Sequence, residues 1–425
     1  MPTHRTRTWL PDAGLDAHPL GSWALEMGFD LWIRALYDGV ILFPDDFHIA
    51  PGTLIASNHQ RDVDGPMLGT VLVRRKGLHF QWPLPFFATR EDLFRPGILS
   101  RLTVHWPRPL RTLLGHVSLA WFFPLGRAEP MRRVREFTLG ETLCALVDAG
   151  FGDTDAGSLL NARGRRELGA GHVPLADLVA RTRPAVLEQW WGLRRLQPAA
   201  LAEIAPRFRA TIDAQLAHFT QRLDRGRCVY FSPEGTISMD GHFGRIRAGF
   251  FRLARMAGSP PWIQPMALGY DTLSPGRSRV VVRIGQRFRA DTTLDRRAFD
   301  AALRRAVLAL APVTPSHLLA RWLLHGPVSF ARDDLASWLA RCLPVLRQTH
   351  PSLDPLFAHA GMRELAGQRL RWLECRRLVV RQGEYFHNLC PRDAEPGWQA
   401  PANISRYLDN NLVDLVPAID RTLPC

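Results

Sequence analysis

Apolar side chains recur along the chain at two periods, and the alternation between them is the first structural signal. Leu20, Trp23, Ala24, Met27, Leu31, Ile33, Leu36 and Tyr37 fall at roughly helical intervals. The stretch Leu20 to Tyr37 therefore predicts an amphipathic helix of bulky side chains, with Phe29 and Trp32 nearby. Two readings fit it: packing on its own domain, or lying in a bilayer interface, where Trp and Tyr are favoured. Thr53 to Ser57 reads as a strand. Asp64-Gly65-Pro66 reads as a helix start with Asp64 as N-cap, because aspartate accepts backbone N–H bonds there and proline is tolerated in the first turn. Short β-like runs follow at Leu78 to Gln81, Val117 to Phe123, Arg227 to Phe231, Ile263 to Leu268 and Arg279 to Gly285. Helical segments separate them, the pattern of an α/β sheet.

The clearest helix is PAALAEIAPRFRATIDAQLAHFTQRLDRG. Leu201, Ile204, Ala205, Phe208, Ile212, Leu216, Phe219 and Leu223 form one stripe, and Gly226 closes it. It feeds into the strand RCVYF, which carries the loop SPEGT to a strand's carboxyl end, where open α/β sheets place their sites. Between Arg127 and Pro198, glycines 150, 152, 157, 164, 169 and 171 punctuate the pattern. This predicts an insertion with one helix near Leu175 to Leu196 around a mobile glycine-rich loop. From about Thr314 the chain turns helical, and LVVRQGEYFHNL offers two short strands joined across Gln382-Gly383. Together with ARDDLASWLARCLPVLRQ and MRELAGQRLRWLECRRL, they suggest a small winged-helix-like unit.

Composition adds a preference for anions. The 425 residues hold 54 Lys+Arg against 40 Asp+Glu, a net charge of +14, and Lys76 is the only lysine, so nearly all the positive charge is guanidinium. Nucleic acid, acidic headgroups or phosphorylated substrates suit such a surface. No apolar run is long enough for a membrane span, and the N-terminal residues lack the apolar centre of a secretion signal, so folding in the cytoplasm is expected. Six cysteines without a CxxC pair argue against a zinc site or a disulfide framework.

The chemistry-bearing stretch is IASNHQRDVDGPML, where a strand delivers His59 and a helix begins at Asp64. Taken alone, a loop histidine is more often a structural hydrogen-bonder than a catalyst. In order along the chain, however, stand NHQRDVD (Asn58 to Asp64), FFPLGR (Phe122 to Arg127), FSPEGTIS (Phe231 to Ser238) and IQPMALGYD (Ile263 to Asp271). The ordered set resembles the four motifs of the glycerolipid acyltransferases, the superfamily of the lysophosphatidic acid acyltransferases, over about Leu20 to Phe288.

That resemblance implies transfer of an acyl group from a thioester to an alcohol, and the residue types suit it. Imidazole is the side chain best matched to deprotonating a hydroxyl at neutral pH, which makes His59 the base. Asp64 has the family spacing to orient it and to stabilise the imidazolium. Asp62 lies in the same loop as a competitor. The resemblance implies substrate-binding roles for Asn58, Arg127, Glu234, Gly235, Thr236, Arg245 and Pro265. Glycine lets backbone N–H groups approach a phosphate, and Arg127 could grip one with two parallel bonds. Ile237 departs from the family, which has an arginine there; either Arg245 and Arg247 take over, or the acceptor carries no simple phosphomonoester. Pro265 reads as a sheet-edge proline or as lining the acyl-donor side.

The expectation is thus an α/β fold, a mixed central sheet flanked by helices, with a small, mainly helical C-terminal lobe. It comprises an N-terminal amphipathic region (1–48), an acyltransferase domain (49–295, with an insertion at 128–197) and the C-terminal lobe (296–425). The expected substrates are acyl-CoA or acyl carrier protein as donor and a lysophospholipid as acceptor, with glycerol-3-phosphate as the alternative acceptor, because YLDNNLVDL faintly resembles the closing helix of the glycerol-3-phosphate acyltransferases. No cofactor or metal is implied. The protein is expected on the inner face of the membrane, peripherally, drawn to anionic lipids and not to nucleic acid. A catalytically inactive lipid-binding scaffold is the reading from another class, kept open by Ile237 and opposed by His59 and Asp64.

Overall fold

The computed structural model describes residues 19–42, 44, 47–72, 75–76, 79–80, 85–94, 107–115, 120–132, 137–169, 172–350, 352–417 and 419. The chain divides into two compact units, one of Met1–Ala88, Pro124–Ala128 and Arg222–Cys425, the other of Thr89–Phe123 and Glu129–Gln221.

The first unit carries the central sheet. Its strands are β1 (Tyr37–Leu42), β2 (Thr53–Ser57), β5 (Phe86–Arg90, in this unit to Ala88), β9 (Val229–Tyr230), β10 (Trp262–Asp271), β11 (Ser278–Ile284) and β12 (Phe288–Arg289), while β6 (Ala128–Met131) passes into the second unit after Ala128. Within this unit the strand order is β1-β11-β10-β2-β9-β5, with β12 also against β10. Apart from these, β3 (Arg75–Lys76) pairs β4 (His79–Phe80), and β7 (Phe137–Thr138) pairs β8 (Trp190–Trp191). The pairings β1 with β11, β10 with β2, β2 with β9 and β5 with β9 are parallel, whereas β10 runs antiparallel to β11 and β12. The sheet is therefore mixed. Every residue of β2 is buried, as is β10 after Trp262, as expected of strands at the centre of a sheet covered on both faces, and their apolar residues LIA and MAL do not alternate with polar ones. Because β2, β5 and β9 are parallel, their carboxyl ends open on one edge, where the loops after Ser57 and Tyr230 leave the sheet.

Pro265 is not on an edge, since β10 lies between β11 and β2. Its missing N–H is accommodated by a bulge. The ladder runs from Met266 opposite Ile284 to Ile263 opposite Phe288, three steps on one strand against four on the other. Within that gap Gly285 N donates to Pro265 O at 3.0 Å and the buried Gln264 amide donates to Gly285 O at 2.5 Å.

Helix α1 (Pro19–Leu36) leads into β1, and α2 (Asp64–Leu72) buries Met67, Leu68, Val71 and Leu72 with Ile55, Met266, Leu268 and Val282 of the sheet. The long helix Pro198–Asp224 ends as its sequence implies: Gly226 has φ +74°, its N–H meets Leu223 O, and Arg227 N meets Arg222 O. Residues 315–388 run helix (Pro315–His325), strand β13 (Ser329–Ala331), helices Arg332–Thr349 and Met362–Cys375, then the hairpin β14 (Val379–Gln382) and β15 (Tyr385–Asn388). The strand order there is β13-β15-β14. The hairpin turns at Gly383-Glu384, one residue later than expected, with Gly383 at φ +63°. A core around Trp322, Phe330 and Trp338 extends to Tyr407 and Leu412 of the last helix, Pro401–Leu415.

Two expected elements differ. Ala120–Phe122 is turn and Phe123–Gly126 a 3-10 helix, not the end of a strand, because Pro124 cannot supply a ladder N–H; Val117 to Leu119 lie outside the described residues. The single helix expected over Leu175 to Leu196 is instead Leu175–Arg181, Pro184–Leu187, β8 and a 3-10 turn at Leu193–Arg195. Pro184 disfavours helical geometry at Arg183 and breaks the run. The preceding glycine-rich stretch carries short helices capped by Asp155 and Asn161. Of Leu78 to Gln81, only His79–Phe80 is described, as β4.

Candidate active site

Strand β2 ends at Ser57 and delivers Asn58 and His59 into the loop before α2. The amide of Asn58 copies a backbone unit: Nδ2 donates to Leu268 O at 2.9 Å and Oδ1 accepts from Leu268 N at 2.8 Å. This prolongs the contact between β2 and β10 beyond the Ser57–Met266 pair. Asn58 is buried and its amide is committed to the main chain, so it positions the loop rather than facing a substrate.

His59 Nδ1 lies 3.0 Å from Asp64 Oδ2. An ionised carboxylate only accepts, so Nδ1 carries a proton, and in the neutral ring that leaves the Nε2 lone pair free to act as a base. The imidazole is 23% exposed and the carboxylate fully buried. Asp64 is not the N-cap that its position suggested. It is the first residue of α2, and its carboxylate turns back over the loop, where Oδ2 also accepts from Gln60 N at 2.6 Å and Arg61 N at 2.9 Å. The helix is opened instead by Val63 O, which accepts from Met67 N at 2.9 Å. Asp62, the competing carboxylate, is exposed.

The PEGT turn follows β9 on the same edge of the sheet and is tied to the His59 loop. Glu234 Oε1 accepts from His59 N at 3.0 Å and Oε2 from Gly244 N at 2.6 Å, while Ser238 N donates to His59 O at 2.8 Å. Glu234 is buried, and burial pushes its carboxyl up to about 7 against the two N–H bonds. Gly235 sits at φ +64°, and a Cβ there would lie 3.1 Å from Arg247 Cγ. Arg247 closes the turn, its N bonding Pro233 O and its Nε bonding Glu234 O. Thr236 and Ile237 are half-buried beside it. Glu234 thus stitches two loops together, a role that its motif position did not disclose.

Other expected residues lie elsewhere. Arg127, at φ +51°, stacks its guanidinium 5.3 Å from the centre of the Phe86 ring and acts electrostatically on Cys228. Both partners belong to the amino ends of β5 and β9, whereas His59 and Glu234 follow carboxyl ends. Arg245 is exposed and within electrostatic reach of Asp300, and Pro265 lies in the buried bulge of β10.

Several neighbours came without a sequence signal. The Tyr270 hydroxyl donates to Asp64 Oδ1. Trp398 Nε1 donates to Gln60 O at 3.2 Å, and Arg61 lies 3.6 Å from the Trp398 ring centre. Arg304 bonds Gly244 O and acts on the Glu234 carboxyl. The helix Pro401–Leu415 covers the loop after PEGT: Asp414 accepts from Phe243 N and pairs with His242 at 3.0 Å, and the side chains of Asn410 and Asn411 donate to Asp240 O and Gly241 O. A cavity of about 10 Å³, the room of one water, remains between Asn58, Gln60, Glu234, Asn411 and Asp414. Arg304 and Trp398 stand far from His59 along the chain, and no local pattern marks them.

No family model matches the chain. Among solved structures it is similar to the crystal structure of the 1-acyl-sn-glycerophosphate (LPA) acyltransferase PlsC from Thermotoga maritima, at 13% identity and a TM-score of 0.31, covering 67% of this chain and 76% of that one. By its own strand order and helices this chain is a mixed α/β protein.

Proposed function

We propose that the protein is an O-acyltransferase that moves a fatty acyl group from the thioester of acyl-CoA or acyl carrier protein to the hydroxyl of a lysophospholipid. The observation that supports this most is the His59–Asp64 pair, held in one geometry beside the PEGT turn at the carboxyl edge of the sheet. His59 Nε2 takes the acceptor's hydroxyl proton as its oxygen attacks the thioester carbonyl, and Asp64 stabilises the imidazolium. As the tetrahedral intermediate collapses, the C–S bond breaks and the imidazolium returns its proton to the departing thiolate. No enzyme nucleophile is needed. A labelled acyl donor offered with lysophosphatidic acid, glycerol-3-phosphate and a phosphate-free lysolipid tests the reading. Transfer should vanish in His59→Ala and fall severely in Asp64→Asn; full activity in the His59 variant refutes it.

A peripheral membrane position is part of the same proposal. Among the described residues no helix is long and apolar enough to cross a membrane. Helix α1, however, is turned inside out: Glu26 and Ile33 are buried while Met27, Leu31, Trp32 and Leu36 are exposed, Leu31 at 73%. Ile41 of β1 is exposed as well. An outward apolar face with Trp32 on it suits shallow insertion at a headgroup boundary, and the +14 charge favours anionic lipid.

A further inference from the structure

The carboxylate of Asp64 is gripped on both oxygens. Oδ2 serves the loop, accepting from Gln60 N, Arg61 N and His59 Nδ1. Oδ1 accepts the hydroxyl of Tyr270, 206 residues further along. Tyr270 is a rigid donor. It is completely buried near the end of β10, and its backbone is locked against Val280 of β11. Burial, with the charge of Asp64 adding to it, pushes the phenol well above its usual value, so the hydroxyl keeps its proton. The groups that face the ring are Arg61, 4.5 Å above its centre, Tyr37 of β1 at 6.2 Å and Trp398 at 5.9 Å. Arg61 Nη1 in turn donates to the Tyr37 hydroxyl at 3.3 Å.

A carboxylate bonded on one oxygen only can swing about its Cβ–Cγ bond and present either lone pair to its partner. Pinned on Oδ1, it has one orientation. We propose that Tyr270 is a positioning residue for the acyl transfer described above: by holding Oδ1 it aims Oδ2 at His59 Nδ1 and so sets the direction of Nε2. The inference rests on that functional reading for its kinetic consequences and on the bond network for its structural ones.

Tyr270→Phe removes one oxygen and keeps the ring. Losing a hydrogen bond to a charged group should lower kcat about 10- to 100-fold with KM held within about twofold. With one donor gone, more of the charge on Asp64 acts on the imidazolium, so the acidic limb of the kcat/KM profile should move to higher pH. In the Asp64→Asn background the same substitution should cost less than about twofold more, because its effect passes through the carboxylate. A second readout does not need turnover. In protein labelled with 15N-histidine, the downfield proton that bridges His59 Nδ1 and Asp64 should move upfield or broaden in Tyr270→Phe. Unchanged kcat, pH limb and bridging resonance would overturn the role, as would equal losses in both backgrounds. A wild-type protein that acylates no hydroxyl acceptor defeats the functional reading instead, and the resonance then decides the role of Tyr270 alone.

Discussion

Glu234 makes the stability of the site depend on pH in a direction opposite to most surface carboxylates. Burial raises its carboxyl from 4.5 to about 7, which corresponds to about 3 kcal/mol of preference for the neutral form. The side chain is 2% exposed, so solvent screening takes little from that figure. A carboxyl raised by folding contributes fully below its unfolded value and loses that contribution as pH climbs through its folded one. Stability should therefore fall by up to about 3 kcal/mol between about pH 4.5 and pH 8 from this group. Glu234→Gln cancels the dependence but directs an amide NH2 at either His59 N or Gly244 N, a pH-independent cost of about 1 to 3 kcal/mol for the donor left without an acceptor. The variant should start below the wild type at about pH 5, and its deficit should shrink or reverse by about pH 8. Thermal midpoints measured across that range, with a 13C carboxyl difference spectrum between the two proteins, give the answer. A deficit that stays constant or widens with pH, and a missing carboxyl signal that titrates near 4.5, refute the reasoning.

Three further outcomes follow from the same contacts. Asn58→Ala strips Leu268 N and O of their partners in a buried place and should cost about 2 to 4 kcal/mol, read as a lowered denaturation midpoint. Gly241→Ala puts a Cβ at φ +93° into the carbonyl oxygen of Tyr407; a loss of about 2 to 5 kcal/mol, with faster amide exchange in residues 238–244, is expected. Leu31→Glu should leave the unfolding free energy within about 0.5 kcal/mol of wild type while reducing co-sedimentation with anionic vesicles; undiminished co-sedimentation would remove α1 from the membrane surface.

What could be read in the sequence was whatever local spacing controls. TLIAS and the strand containing MALGY are rich in buried apolar residues because the sheet is covered on both sides, and the Ile204-to-Leu223 stripe with its closing glycine specifies a helix without help from elsewhere. The five-residue separation of His59 and Asp64 already implied a meeting, though not that the carboxylate would face backwards over its own loop. Edge and centre, by contrast, are properties of strand order, and no local rule could say that Pro265 stands inside the sheet at a bulge. Motif order carried no information on the surroundings of Arg127, whose positive φ and N–H bond to Pro124 O place its guanidinium over Phe86. Tyr270, Arg304 and Trp398 were illegible because each acts through a contact between segments far apart in the chain.

The bond from Trp398 to Gln60 spans 338 residues, which gives the loop a history as well as a geometry. A ribosome adds roughly 5 to 20 residues per second, so His59 is made roughly 20 to 70 s before the indole that will brace its neighbour exists. During that interval Glu234, Ser238 and Tyr270 become available to the loop, and the indole is the later support. The nascent polypeptide thus completes this loop only after Trp398 has been made, and a growing chain carries the dyad's residues well before their full set of supports.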